Sequence, residues 1–157
     1  MLKIYAENGE TLERLDEVAC AVASELKQRA NIYAELTFVS ARKIKKINAA
    51  TRGVDKVTDV LSFPMLDGVK GASVNKKNYP LDFDPDKKAV FLGSIVICMD
   101  RVRSQAKKFG HSEERETYYL IVHALLHLFG FDHELDEDKE EMREKEEKIM
   151  KKLGILR

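Results

Sequence analysis

Three of the four histidines in this chain fall inside one eleven-residue stretch, HALLHLFGFDH, residues 123–133. Helical residues four apart lie one above the other on the same face, so His123 and His127 point the same way. Gly130 can take a left-handed turn that other residues resist, and that turn can bring His133 back over the same face. Three neutral imidazoles converging from a helix and its following turn make an open tetrahedral zinc-type site with one position left for water. A thiol-free donor set with a vacancy favours catalysis over a structural role. The other reading is three packing or surface histidines, which this spacing and the placed glycine disfavour.

The ligand spacing H-x-x-x-H-x-x-G-x-x-H also matches that of metzincin peptidases. Those enzymes place a glutamate directly after the first histidine as general base. Ala124 occupies that position here and can neither take nor give a proton. Met142, in a charged helical stretch, supplies no convincing Met-turn. A metzincin-like metallopeptidase is therefore the weaker alternative.

The histidines need elements to position them. LKIYA, residues 2–6, reads as a strand. A helix from about Thr11 to Arg29 has Leu12, Leu15, Val18, Val22 and Leu26 along one face. IYAELTFVS, 32–40, alternates and is rich in β-formers. Ser40 is a plausible N-cap for a short helix built on Ile44 and Ile47. DVLSFP, 59–64, reads as a strand stopped by Pro64. Residues 66–88 read as a long loop or loose hairpin, and such lengths are more often functional or mobile than idle. AVFLGSIVICM, 89–99, is the strongest strand signal, with Gly93 a candidate bulge. One helix then ends at Phe109-Gly110. The next starts at Ser112 with Glu113, Glu114 and Glu116 against the helix dipole and stops at Gly130. A last charged helix spans about Asp136 to Leu153, with Met142, Ile149 and Leu153 inward. The whole predicts one domain over residues 1–157. It is an α+β fold, with a small mixed sheet of about four strands, about five helices and the metal site at the end of a helix near the C-terminus.

Lys and Arg number 27, Asp and Glu 27, so the net charge is zero. Residues 1–110 hold 19 basic against 14 acidic side chains, and residues 111–157 hold 8 against 13. A uniformly basic nucleic-acid coat is excluded, but a local basic surface is not. Cys20 and Cys98 are too few and too distant for a thiol metal knuckle or disulfide framework, and read as small buried hydrophobes in a reducing compartment. The first residues lack a signal-peptide pattern, and no run of about 18 apolar residues occurs. A cytoplasmic protein, a monomer without membrane attachment, is the expectation.

Beyond HALLHLFGFDH, three more stretches agree with one family. NAATRGVDKVTDVLSFP, 48–64, resembles its segment with an arginine followed by TDVLSFP. LGSIVIC, 92–98, resembles its LGDIVI strand, and DKEEMREKEEKIM its closing helix. The chain thus resembles the YbeY endoribonucleases over nearly its whole length and in order. Ala124 stands where the family often has Gly, Phe131 where it often has Tyr, and Ser94 where it usually has Asp. The resemblance implies one ion, Zn2+ or another divalent transition metal, on His123, His127 and His133. It also implies action on single-stranded RNA but not DNA, in maturation of the 3′ end of 16S ribosomal RNA and in quality control on the small ribosomal subunit. Arg52 and His123 are then the expected catalytic residues.

For an RNA phosphodiester, an ion can bring the pKa of its water near 7, so Ala124 is no obstacle. It can instead polarise a phosphoryl oxygen while the 2′-hydroxyl attacks. The sequence leaves both routes open. Either builds negative charge that the planar fork of Arg52 suits. Asp59 and Ser62 read as structural. Asp132 is a candidate acceptor for a ligand imidazole, with a helix-flanking Asx turn as its alternative. Arg42, Lys43, Lys45 and Lys46 form a candidate RNA-contacting face, or simply a solvated one. His111 reads as a loop or cap residue. A non-catalytic, metal-containing ribosome assembly factor is the remaining alternative, because ligands alone do not prove turnover.

Overall fold

The computed structural model describes residues 1–7 and 12–155. Its elements, in order, are β1 (Leu2–Glu7), α1 (Leu15–Glu25), β2 (Ile32–Val39), α2 (Ala41–Arg52), β3 (Val60–Pro64), a 3-10 turn (Pro80–Asp82), β4 (Phe83–Asp84), β5 (Ala89–Cys98), α3 (Met99–Phe109), α4 (Glu113–Leu128) and α5 (Asp136–Lys152). The sheet runs β1-β2-β5-β3. β1, β2 and β5 are parallel, and β3 and β4 pair antiparallel with successive parts of one edge of β5. The α+β class, the mixed sheet and the five helices agree with the sequence reading. The difference is a fifth strand, β4, two residues long, inside the segment expected to be a long loop or loose hairpin.

Helix α1 is shorter than its apolar periodicity suggests. Thr11, its expected start, lies outside the described residues. It ends early because Lys27 turns left-handed, φ 55°. Lys27 and Gln28 then donate their N–H groups to the carbonyls of Ser24 and Ala23, closing a Schellman turn. Gln28 is thereby aimed at the 66–88 segment. Its amide donates to the Ala72 carbonyl at 2.8 Å and accepts from the Val74 N–H at 2.9 Å. Leu66, Val69 and Val74 are buried in the core. The long connection is a packed strap, held by apolar burial and one bridging glutamine.

Strand β5 is the spine of the sheet. Its alternation breaks at Gly93, where the pairing with β2 shifts between Tyr33 and Ala34. Gly93 has φ 146°, and a Cβ there would meet the Phe63 carbonyl oxygen at 2.4 Å and Leu128 Cδ2 at 2.9 Å. The bulge changes the phase of the strand, so Val90 and Leu92 before it and Ile95 and Ile97 after it all face inward, each buried. Cys98 is buried too, but Cys20 is exposed on α1. That corrects the expectation of two buried cysteines: only Cys98 fills core.

Helix α4 is buried nearly all round, with Leu120, Ile121, Val122, Ala124, Leu125, Leu126 and Leu128 all enclosed. It contacts β3 and β5 on one side and α1, α3 and α5 on others. Truncating one of these leucines to alanine costs about 2–5 kcal/mol. Ser112 caps the helix, its hydroxyl accepting from the Arg115 N–H at 3.0 Å. Ser40 does the same for α2 through Lys43, at 3.2 Å. Of the acids at the start of α4, Glu116 does more than meet the dipole. It is buried, touches His111 Nε2 at 2.6 Å and accepts from Gln105 at 2.9 Å. His111 therefore belongs to a part-buried polar network joining α3 to α4. Among the described residues, no helix is long and apolar enough to cross a membrane.

Candidate metal centre

His123 and His127 lie one turn apart near the end of α4, with ring centroids 4.7 Å apart. Phe129 ends the helix and Gly130 follows at φ 93°. Gly130 N–H donates to the His127 carbonyl and Phe131 N–H to the Leu126 carbonyl, both at 3.0 Å, a Schellman closure. The strap presses on this turn. A Cβ on Gly130 would sit 3.0 Å from Lys70 Cβ and backbone N, so both the left-handed φ and the close approach require glycine. The turn returns His133 to the other two rings, at 5.8 Å from His123 and 5.1 Å from His127.

The three imidazoles each offer one nitrogen, all within 4.8 Å of one another. Bonds of about 2.1 Å at tetrahedral angles put two nitrogens on one ion about 3.4 Å apart. Ring rotations that close the widest pair by roughly 1.4 Å therefore make the set fit one cation. Burial, followed by the neighbouring His123 and His133 imidazoles, pushes His127 down to about 4. At neutral pH its ring is unprotonated, with a lone pair free for a ligand bond.

A carboxylate that the sequence reading missed organises the centre. Glu146, buried on α5, places Oε1 2.6 Å from His123 Nδ1 and accepts the Tyr119 hydroxyl on Oε2 at 2.8 Å. With Nδ1 engaged, His123 presents Nε2 to the cation. Such a partner fixes ring orientation and raises ligand basicity. The signal was available: Glu146 sits four residues after Met142 and three before Ile149, a charged residue on the buried stripe of α5. Asp132, the acceptor proposed from sequence, is exposed, and its Oδ1 accepts from the Glu134 N–H at 3.4 Å.

Arg52, Asp59, Ser62, His123, His127 and His133 line one cleft of about 580 Å³. Arg52 is exposed at the end of α2, and no described residue bonds its guanidinium. Asp59 is engaged structurally: its Oδ1 accepts from the Val60 N–H at 2.8 Å, and its carbonyl from Cys98 N–H at the same distance. Ser94 pairs in the sheet with Glu35 and Phe63, away from the cleft lining. Arg42, Lys43, Lys45 and Lys46 are exposed on α2, outside the cleft. Ala124 is fully buried on the core side, and Met142 on α5 is buried in the hydrophobic core. Neither supplies what a peptidase of the metzincin type needs.

A solution structure of TM1509 from Thermotoga maritima shares the fold, with a TM-score of 0.59 at 23% identity over 98% of this chain and 91% of that one. Endoribonuclease YbeY from Clostridium beijerinckii is 44% identical over 98% of this chain and 99% of its own. Its namesake from Clostridium perfringens is 40% identical over 94% and 90%. A sequence model for endoribonuclease YbeY matches residues 3–154, which takes in the arginine segment, the bulged strand, the three histidines and the closing helix. The chain belongs to the endoribonuclease YbeY family.

Proposed function

We propose that the chain is a metal-dependent, single-strand-specific endoribonuclease of ribosomal RNA maturation. It acts in the cytoplasm as a single-domain monomer on the 3′ end of 16S RNA and in quality control of the small subunit. The observation that supports this reading best is the cleft lined by both Arg52 and three imidazoles, in a chain of this family.

His123, His127 and His133 would hold the ion. Three imidazoles without a thiol suit zinc, and also accept nickel, copper and cobalt. When bound, the ion supplies Lewis acidity, which acidifies water and polarises a phosphoryl oxygen. The protein supplies the rest. Glu146 and Tyr119 hold His123 in one orientation. Arg52 donates from a planar fork to the phosphoryl oxygens as charge grows on them. Its exposed position, with no bonded acid among the described residues, leaves its donors for substrate. Arg42, Lys43, Lys45 and Lys46 add backbone contacts, and Asp132 shapes the turn that bears His133.

The test is cleavage of a single-stranded RNA by the purified chain, with the same protein stripped by chelator and reloaded. Cutting that disappears on stripping and returns on reloading is the expected result. Full activity in the stripped protein overturns the role of the metal. A protein that sediments with small subunits and never cuts RNA overturns the nuclease and leaves the assembly factor.

A further inference from the structure

Helices α2 and α3 together concentrate charge of one sign. Their 23 residues contain nine basic side chains, Arg42, Lys43, Lys45, Lys46 and Arg52 on α2 and Arg101, Arg103, Lys107 and Lys108 on α3, against one acid, Asp100. The remainder of the chain holds 18 basic against 26 acidic residues. All nine are exposed. Lys45 reaches Asp55 at 4.0 Å, and Arg103 reaches Asp100 at 3.7 Å and Glu113 at 4.0 Å, all long for ion pairs. A face so lopsided in a neutral protein costs self-repulsion, which a polyanion would relieve.

The two helices are joined to each other and to the cleft. The Ala41 N–H donates to Asp100 Oδ2 at 2.7 Å, which sets the starts of α2 and α3 side by side. α2 then runs to Arg52 in the cleft. In the middle of α3, Gln105 lies 3.5 Å from Asp59 Oδ2, another cleft residue. Arg101 and Lys108 lie four before and three after Gln105, on its face of the helix. α3 ends in Phe109, 63% exposed, with Lys108 Nζ 5.5 Å from its ring and His111 stacked at 6.1 Å. A large exposed aromatic among cations is the combination on which unpaired bases stack.

We propose that α3 extends the RNA-binding surface beyond the cleft. Arg101, Arg103, Lys107 and Lys108 bind the backbone of the strand flanking the cut site, and Phe109 stacks one of its bases. This rests on the reading of RNA as substrate. It adds a length requirement: substrates long enough to cross from the cleft to Phe109 bind more tightly than those filling the cleft alone.

The experiment compares single-stranded oligouridines of about 20 and about 6 nucleotides, spanning the range of single-strand site sizes, by fluorescence anisotropy. The unaltered chain binds the longer RNA at least about tenfold more tightly, with a steeper salt dependence. In R101E/K107E/K108E the preference for the longer RNA falls about tenfold or more, and the salt slope drops by roughly two, at about 0.7 per lost contact. F109A loses about tenfold with the slope unchanged. Circular dichroism checks folding, and the neutral R101Q/K107Q/K108Q serves if charge reversal unfolds the chain. Equal binding of both RNAs by the unaltered chain, or folded variants that keep the preference, overturns the proposal. Cleavage by the unaltered chain is scored separately. Length-dependent binding without cutting sinks the nuclease and keeps the tract, whereas cutting without length dependence does the reverse.

Discussion

Helices α2 and α5 are both rich in charge, yet the fold spends that charge differently. α2 has five cations, no acid and a hydrated outer face. α5 has eight acids and six cations interleaved, and it draws one carboxylate, Glu146, into the interior to hold His123. One region keeps its charges in water, where they cost little and can still meet a phosphate. The other buries a single charge where two donors satisfy it, and gains an oriented ligand. A residue's type does not decide which of these it does. Its position relative to the buried stripe does.

The sharpest way to break this contrast is at the ligands themselves. His127→Ala removes one of three donors. Stoichiometric bound metal by elemental analysis should be lost, and RNA cleavage should fall at least about a thousandfold, below even the loss of a supporting residue. Arg52→Glu tests the arginine of the same cleft: cleavage should drop about 100–1,000-fold while metal content and melting temperature stay unchanged. If Arg52→Glu sheds the metal, the division between ligand wall and phosphate wall is wrong. Glu146→Gln is next in size. Competition with a chelating dye should show metal affinity weaker by about 10–100-fold, whereas Glu147→Gln, one residue on, should show no change.

Much of this was readable in the chain. The helix-and-glycine spacing of the three histidines is a local signal, because α4 and its Schellman turn bring the three rings together within eleven residues. The N-caps at Ser40 and Ser112 and the bulge at Gly93 were legible for the same reason. Glu146 was harder: its place on the Met142–Ile149 stripe is in the sequence, but it looks like seven neighbouring acids until α5 is docked on α4. The strap at 66–88 was also hidden. Its buried side chains, Leu66, Val69 and Val74, follow no helical or strand period, and its anchor Gln28 is more than forty residues away.

The smallest predicted effect is on pH. His127 is held near 4 in the folded chain and titrates near 6.5 when unfolded. Between those values the unfolded state binds the extra proton, so folding is favoured fully above 6.5 and less as pH falls toward 4. In metal-stripped protein the melting temperature should drop by about 5 °C between pH 7 and 5, and His127→Gln should flatten that slope. Scanning calorimetry across the range decides it.

The missing methyl at Gly93 has a consequence for the depth of the cleft. With no side chain there, the Leu128 methyl settles almost onto the sheet, close beside the Phe63 carbonyl of the neighbouring strand. Leu128 immediately follows His127, so the height at which that imidazole rides is set from beneath, by one absent carbon on the far strand. Any side chain at 93 would lift the end of α4 like a shim under a hinge.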